Sequence, residues 1–226
     1  MGLDANNTTG VINHGSAAIV DNVLPVTFTF WCYFNSFNAA RYLLQKNANE
    51  PYIRAGGFPT ANKISLFWSN GGVNDLSYLT ANTLTVNTWH HIAVTVRTGL
   101  LTPRVYFGQQ GVVPRLTTGA TLGGGKGFGF NNAAANLIVG SSSDAGAASP
   151  DWNVAHFSMW NKVLTLNQII AQWHRPHRHD DGSCVVMSDY GFNGTGTQAD
   201  FSGNGNNASV TDMIQADHVP INRSAA

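Results

Sequence analysis

The sequence predicts an all-β protein: an antiparallel β-sandwich of the jelly-roll type, with one short C-terminal helix and an extra C-terminal strand segment. Two observations carry this. From Trp89 to Arg97 the chain alternates, with His90, Ile92, Val94 and Val96 on one side and Trp89, His91, Ala93, Thr95 and Arg97 on the other. That period of two, rich in β-branched residues, marks a half-buried strand. Short runs of the same kind recur along the 226 residues, about ten to twelve of them separated by turn residues, the spacing of a sandwich.

The runs follow in order. Val26–Phe34 sets Val26, Phe28, Phe30, Cys32 and Phe34 on a core face and Thr27, Thr29, Trp31 and Tyr33 on a half-polar, aromatic face. Further strands are expected at 42–46, 52–55, 63–68, 75–80, 103–108, 136–140 and Trp152–Trp160, with turns at 47–51, 69–72 and 98–102. The glycine run at 123–127 precedes no helix, so it reads as a loop and not as a phosphate cradle. One helix is signalled. Thr165-Leu166-Asn167-Gln168 fits a capping box, and Leu166, Ile169, Ile170 and Trp173 form a stripe that Pro176 ends. This helix is expected to dock on the sandwich edge. Ser183–Met187 reads as a strand, and Asp200–Val210 as a tight turn entering another. The expected division is an arm at 1–13, a jelly roll at 14–175, and an extension at 176–226 that adds strands to the same sandwich.

Composition narrows function. Hydrophobic residues make up 43%, enough for a sizeable core, and charged residues only 11%. Twelve Lys and Arg balance twelve Asp and Glu, so electrostatic nucleic-acid binding is not expected. No stretch reaches transmembrane length, and the first ten residues show neither a signal-peptide nor a myristoylation pattern. Synthesis in a cytoplasm without a signal peptide is therefore expected. Cys32 and Cys184 permit one bridge at most, and Cys32 reads as a buried free thiol.

Three stretches resemble the laminin-G-like, concanavalin-A-like jelly roll. They are Phe28-Thr29-Phe30-Trp31; Asn87-Thr88-Trp89-His90-His91-Ile92-Ala93-Val94-Thr95; and Asn136–Gly140 followed by Phe157-Ser158-Met159-Trp160 through Gln168-Ile169. They cover about residues 14–173 and are specific for the fold, not for a ligand. The chain departs from the family at Tyr106-Phe107-Gly108, where an Asp is absent. It also carries the Asp-x-Ser-Gly-Asn-Gly-Asn motif at Asp200–Asn206, near the C-terminus, although that motif usually opens such domains. The arrangement is similar to that of tailed-bacteriophage virion proteins, which implies a virion surface protein such as a capsid decoration or a head or tail fibre component.

Glycosidases on this sandwich use two carboxylates. Here the one Glu, Glu50, lies in a turn, so no enzyme is expected. A glycan site needs aromatic platforms beside polar groups. Candidates are Trp68 with Asp75, and Trp152 with Asp144 and Asp151, while Trp31 and Tyr33 are placed to line the concave sheet. Asp200, Asn204 and Asn206 offer oxygens that suit Ca²⁺; the alternative is an Asx-type turn bonded to its own backbone. His174, His177, His179, Asp180 and Asp181 read as a solvated linker or a transition-metal cluster. The expected partners are a second copy of the chain (a homo-oligomer, for instance a trimer), other virion proteins and cell-surface glycan, with no nucleic acid and no membrane insertion. A free-standing lectin module without a virion role is the alternative.

Overall fold

The computed structural model describes residues 2–4, 10–20, 23–37, 41–46, 52–55, 62–69, 74–98, 103–121, 135–140, 152–176, 181–190, 196–211 and 214–216. Among these the strands are β1 (Gly2–Asp4), β2 (Val11–Asn13), β3 (Val26–Phe34), β4 (Arg41–Gln45), β5 (Tyr52–Ala55), β6 (Ile64–Ser69), β7 (Asn74–Thr80), β8 (Trp89–Val96) and β9 (Arg104–Gln109). They continue with β10 (Val112–Thr117), β11 (Gly119–Thr121), β12 (Ile138–Val139), β13 (Trp152–Trp160), β14 (Cys184–Ser188), β15 (Gly196–Gln198), β16 (Ala208–Thr211) and β17 (Ile214–Ala216). The helix is α1 (Leu166–His174). No helix among the described residues is long and apolar enough to cross a membrane.

The strands form two antiparallel sheets. Sheet A runs β10-β9-β8-β3-β13-β1-β17, and the outer edge of β13 is shared, with β1 on its first half and β14 on its second. Sheet B runs β11-β7-β6-β5-β4-β12-β2-β16-β15. The fold is the expected jelly-roll sandwich. Segments from both ends of the chain are woven into it: β1 and β17 pair in sheet A, while β2 pairs with β16 in sheet B.

Alternation explains the core. Val26, Phe28, Phe30, Cys32 and Phe34 of β3 meet Ile92, Val94 and Val96 of β8 and, from sheet B, Ile53, Ala55, Ile64 and Leu66. Each large apolar side chain buried there contributes about 1.5–3 kcal/mol. Both cysteines are free and buried. Burial pushes the Cys32 thiol well up and the Cys184 thiol up to about 12, so neither is a thiolate at neutral pH.

The expectation of a half-buried β8 is corrected: all eight of its residues are buried. The reason is α1, which lies over the outer face of sheet A. Ile169 packs with Ala93, Tyr106 and Trp160, and Trp173 with Trp31, Trp89 and Ala155. The capping box forms as read, with Thr165 Oγ1 accepting the Gln168 amide and the Thr165 amide donating to Gln168 Oε1 at 2.9 Å. Trp173 Nε1 donates to the Gln109 carbonyl at 3.2 Å. The helix thus reaches from edge strand β10 across to β3, and does not sit at the edge alone.

Candidate glycan-binding face

Sheet B keeps its outward face free of any helix among the described residues. The period of two decides what stands on that face. In β5, Ile53 and Ala55 enter the core, so Tyr52 and Arg54 face outward; in β6, Ile64 and Leu66 enter the core, so Ser65 and Phe67 face outward. Register then lines them up. Gln45, Tyr52, Phe67 and Ser77 form one cross-strand row, and Tyr42, Arg54, Ser65 and Leu79 the next.

The outcome is an aromatic strip over three adjacent strands. Tyr42 and Tyr52 have ring centroids 5.6 Å apart, and Tyr52 stacks on Phe67 at 4.5 Å with an interplanar angle of 17°. The Arg54 guanidinium lies 4.4 Å from the Phe67 centroid and 5.9 Å from that of Tyr52. Tyr42, Arg54 and Phe67 are half-buried, whereas Tyr52 is 8% exposed. Burial raises the Tyr52 hydroxyl above its usual range, against a smaller opposing effect of Arg54, so it stays a neutral donor. Flat apolar rings flanked by hydroxyl and guanidinium donors can stack on the C–H face of a sugar while bonding its oxygens.

The Asp200 turn has a different character. Asp200 Oδ1 accepts from the amides of Met187 and Ser202, both at 2.9 Å; Oδ2 accepts from Ser202 Oγ at 2.8 Å and the Asn206 amide at 2.9 Å. Asn204 Nδ2 donates to the Cys184 carbonyl at 2.8 Å and Asn206 Nδ2 to the Val185 carbonyl at 2.9 Å. Four donors occupy the carboxylate, so the residues do not fit Ca²⁺, and the geometry favours the bonded Asx-type turn. It fastens the chain after β15 to β14.

The family model of the concanavalin A-like lectin/glucanases superfamily matches residues 6–170. The chain belongs to that family. Sequence comparison with curated proteins finds no match. Among solved structures, a protein from Bacteroides ovatus assigned to carbohydrate binding superposes with a TM-score of 0.64 at 15% identity. The alignment covers 91% of this chain and 59% of that one, so the chain spans well under two thirds of its length. Tailspike protein 2 of an Escherichia coli O157:H7 bacteriophage gives 0.57 at 11% identity over 84% of this chain and 26% of that one. The CBM40 module of Ruminococcus gnavus IT-sialidase, solved with α2,3-sialyllactose, gives 0.54 at 17% identity over 75% and 94%. At these identities the likeness is one of fold.

Within this lectin-like fold the sequence-derived candidates scatter. Trp68 lies on β6 beside Phe67, and Asp75 on the adjoining β7, on the same strands as the aromatic strip; their side chains lie outside the described ones. Asp144 and Asp151 lie outside the described residues. Trp152 is fully buried, stacked on Phe34 at 5.9 Å, and turns no face to solvent. Trp31 sits beneath α1 against Trp173; Tyr33 is half-buried, its hydroxyl donating to Asn87 Oδ1 at 3.2 Å. His177, His179 and Asp180 lie outside the described residues, and Asp181 pairs with Lys162. Among the described residues no group of three or more His, Cys, Asp or Glu is placed to hold a metal.

Sequence reading missed Tyr42, Tyr52, Arg54 and Phe67 as a group. Their signal was present in part: Tyr52 and Arg54 alternate with Ile53 and Ala55, which sets an aromatic and a cation on one face.

Proposed function

We propose that this domain binds cell-surface glycan through the outward face of sheet B, performs no chemistry on it, and does so as part of a virion surface. The observation that carries the binding reading is the stacked strip Tyr42–Tyr52–Phe67 with Arg54. Two supports stand beside it: membership of a lectin-like family, and a fold shared with a sialyllactose-bound module. The absence of catalysis is supported by the single Glu of the sequence, Glu50. The virion setting rests on the resemblance of the C-terminal arrangement to tailed-phage virion proteins and on the fold shared with a phage tailspike. A homo-oligomer, for instance a trimer contacting other virion proteins, fits that setting.

The test is a glycan array with the full chain, run with calcium and with chelator, and repeated with Phe67→Ala and Tyr42→Ala. Binding that survives chelation and weakens about tenfold in each variant, for a loss of about 1.4 kcal/mol, supports the reading. Binding untouched by both substitutions removes this face from the account. Mass spectrometry of purified particles tests the virion setting, and light scattering the oligomer.

A further inference from the structure

The inference rests on the glycan-face reading above and names the class of glycan. Arg54 is the one charged residue among the described side chains at outward positions of sheet B. Its guanidinium is held beside Phe67 at 4.4 Å. A guanidinium stacked on a ring keeps its donors in its own plane, in a fork matched to a carboxylate, and five donors serve more than one acceptor at once.

Ser65 stands directly across the ladder from Arg54. Its hydroxyl is buried, 1% exposed as a residue, and has no hydrogen-bond partner in the protein. Buried polar groups are almost always bonded, so this hydroxyl marks a place for an outside oxygen next to the cation. The neutral Tyr52 hydroxyl adds a donor. Cation, donors and rings thus meet on one patch of β5 and β6.

We propose that this patch selects sugars bearing a carboxylate, uronic or sialic-type residues, with the carboxylate on the Arg54 fork and the ring against Phe67 and Tyr42. The whole chain has no net charge, so the preference arises at Arg54 and not from a general attraction for polyanions.

Calorimetry of the full chain with α2,3-sialyllactose against lactose, and with tri-galacturonic acid against galactotriose, tests this. At least one acidic sugar is expected to bind about 10- to 100-fold tighter than its neutral partner, the size of a charge-assisted pair. R54Q should bring that ratio near one while neutral binding persists, R54K should leave it intermediate, and R115Q, on the exposed part of β10 in the other sheet, should leave it unchanged. Equal binding of acidic and neutral sugars, or a ratio that falls equally in R54Q and R115Q, overturns the inference and leaves the glycan-face reading standing. No binding of any sugar by the folded protein overturns both.

Discussion

His14 and Tyr190, 176 positions apart in sequence, meet in the interior: His14 Nε2 accepts the Tyr190 hydroxyl at 2.7 Å. The other ring nitrogen, Nδ1, lies 3.0 Å from the carbonyl of Asn206. A carbonyl only accepts, so Nδ1 carries the proton and Nε2 offers its lone pair. Burial lowers the His14 pKa to about 4, which keeps the ring neutral. One imidazole therefore joins the segment after β2, the segment after β14 and the Asp200 turn.

Tyr190→Phe removes the donor and leaves Nε2 buried without a hydrogen. The expected cost is about 1–3 kcal/mol, read as a lower urea midpoint with an unchanged slope. An unchanged midpoint would show that the hydroxyl is not what holds these segments.

Acid should loosen the fold before carboxylates titrate. Unfolded histidine binds a proton near pH 6.5, folded His14 only near 4, and folded His91 near 3, the latter through burial and then the neighbouring His156. A depressed folded pKa contributes stability above pH 6.5, and that contribution is lost as pH falls toward 4 for His14 and 3 for His91. The loss is on the order of 3 kcal/mol for His14 alone. Urea midpoints measured from pH 7.5 to 4 should fall steadily, with a shallower fall in His14→Gln. A flat profile down to pH 4 contradicts this.

Asp200→Asn replaces two acceptor oxygens by one and turns an NH₂ group toward amides that need acceptors. It should cost about 3 kcal/mol, and calcium or chelator should leave the melting temperature of the native protein unmoved. A calcium-dependent rise in melting temperature that disappears in Asp200→Asn would restore the metal reading of this turn.

Gly119 of β11 lies under Tyr78: a Cβ there would stand 2.4 Å from Tyr78 Cζ and 2.6 Å from the Leu79 carbonyl oxygen. The carbonyl belongs to the paired strand and cannot swing away. Gly119→Ala should cost about 1–3 kcal/mol by overpacking, visible as a lower melting temperature. Wild-type stability in that variant would mean that β11 can slide on β7.

Where the residues carry their own signal, the sequence reads well. Val26–Phe34 and Trp152–Trp160 alternate over nine residues each, and Thr165 with Gln168 caps α1 locally. Reading fails where a partner decides. His91, Ala93 and Thr95 look half-polar, yet α1 and its apolar stripe close over that face. β10 escapes because Pro114 breaks its pattern, and an edge strand tolerates proline. The strands at Gly2–Asp4 and Ile214–Ala216 are three residues each and exist through each other and β13. The glycan face needed the order β4-β5-β6 and its register, which bring Tyr42, Tyr52 and Phe67 together; Trp152, an aromatic beside a loop, faces Phe34 instead.

The pairing of β1 with β17 also bears on how the protein takes load. Gly2 stands opposite Ala216 and Asp4 opposite Ile214, so the two strands run in opposite directions from a common outer end. Tension drawing residues 2 and 216 apart meets their hydrogen bonds one after another, as in opening a zipper, and this ladder parts first. Farther in, β13, β3 and β8 have neighbours on both sides and are reached only after that outer seam has opened. A tether that entered and left through these strands would yield in steps, lengthening before the body of the sandwich bore the full pull.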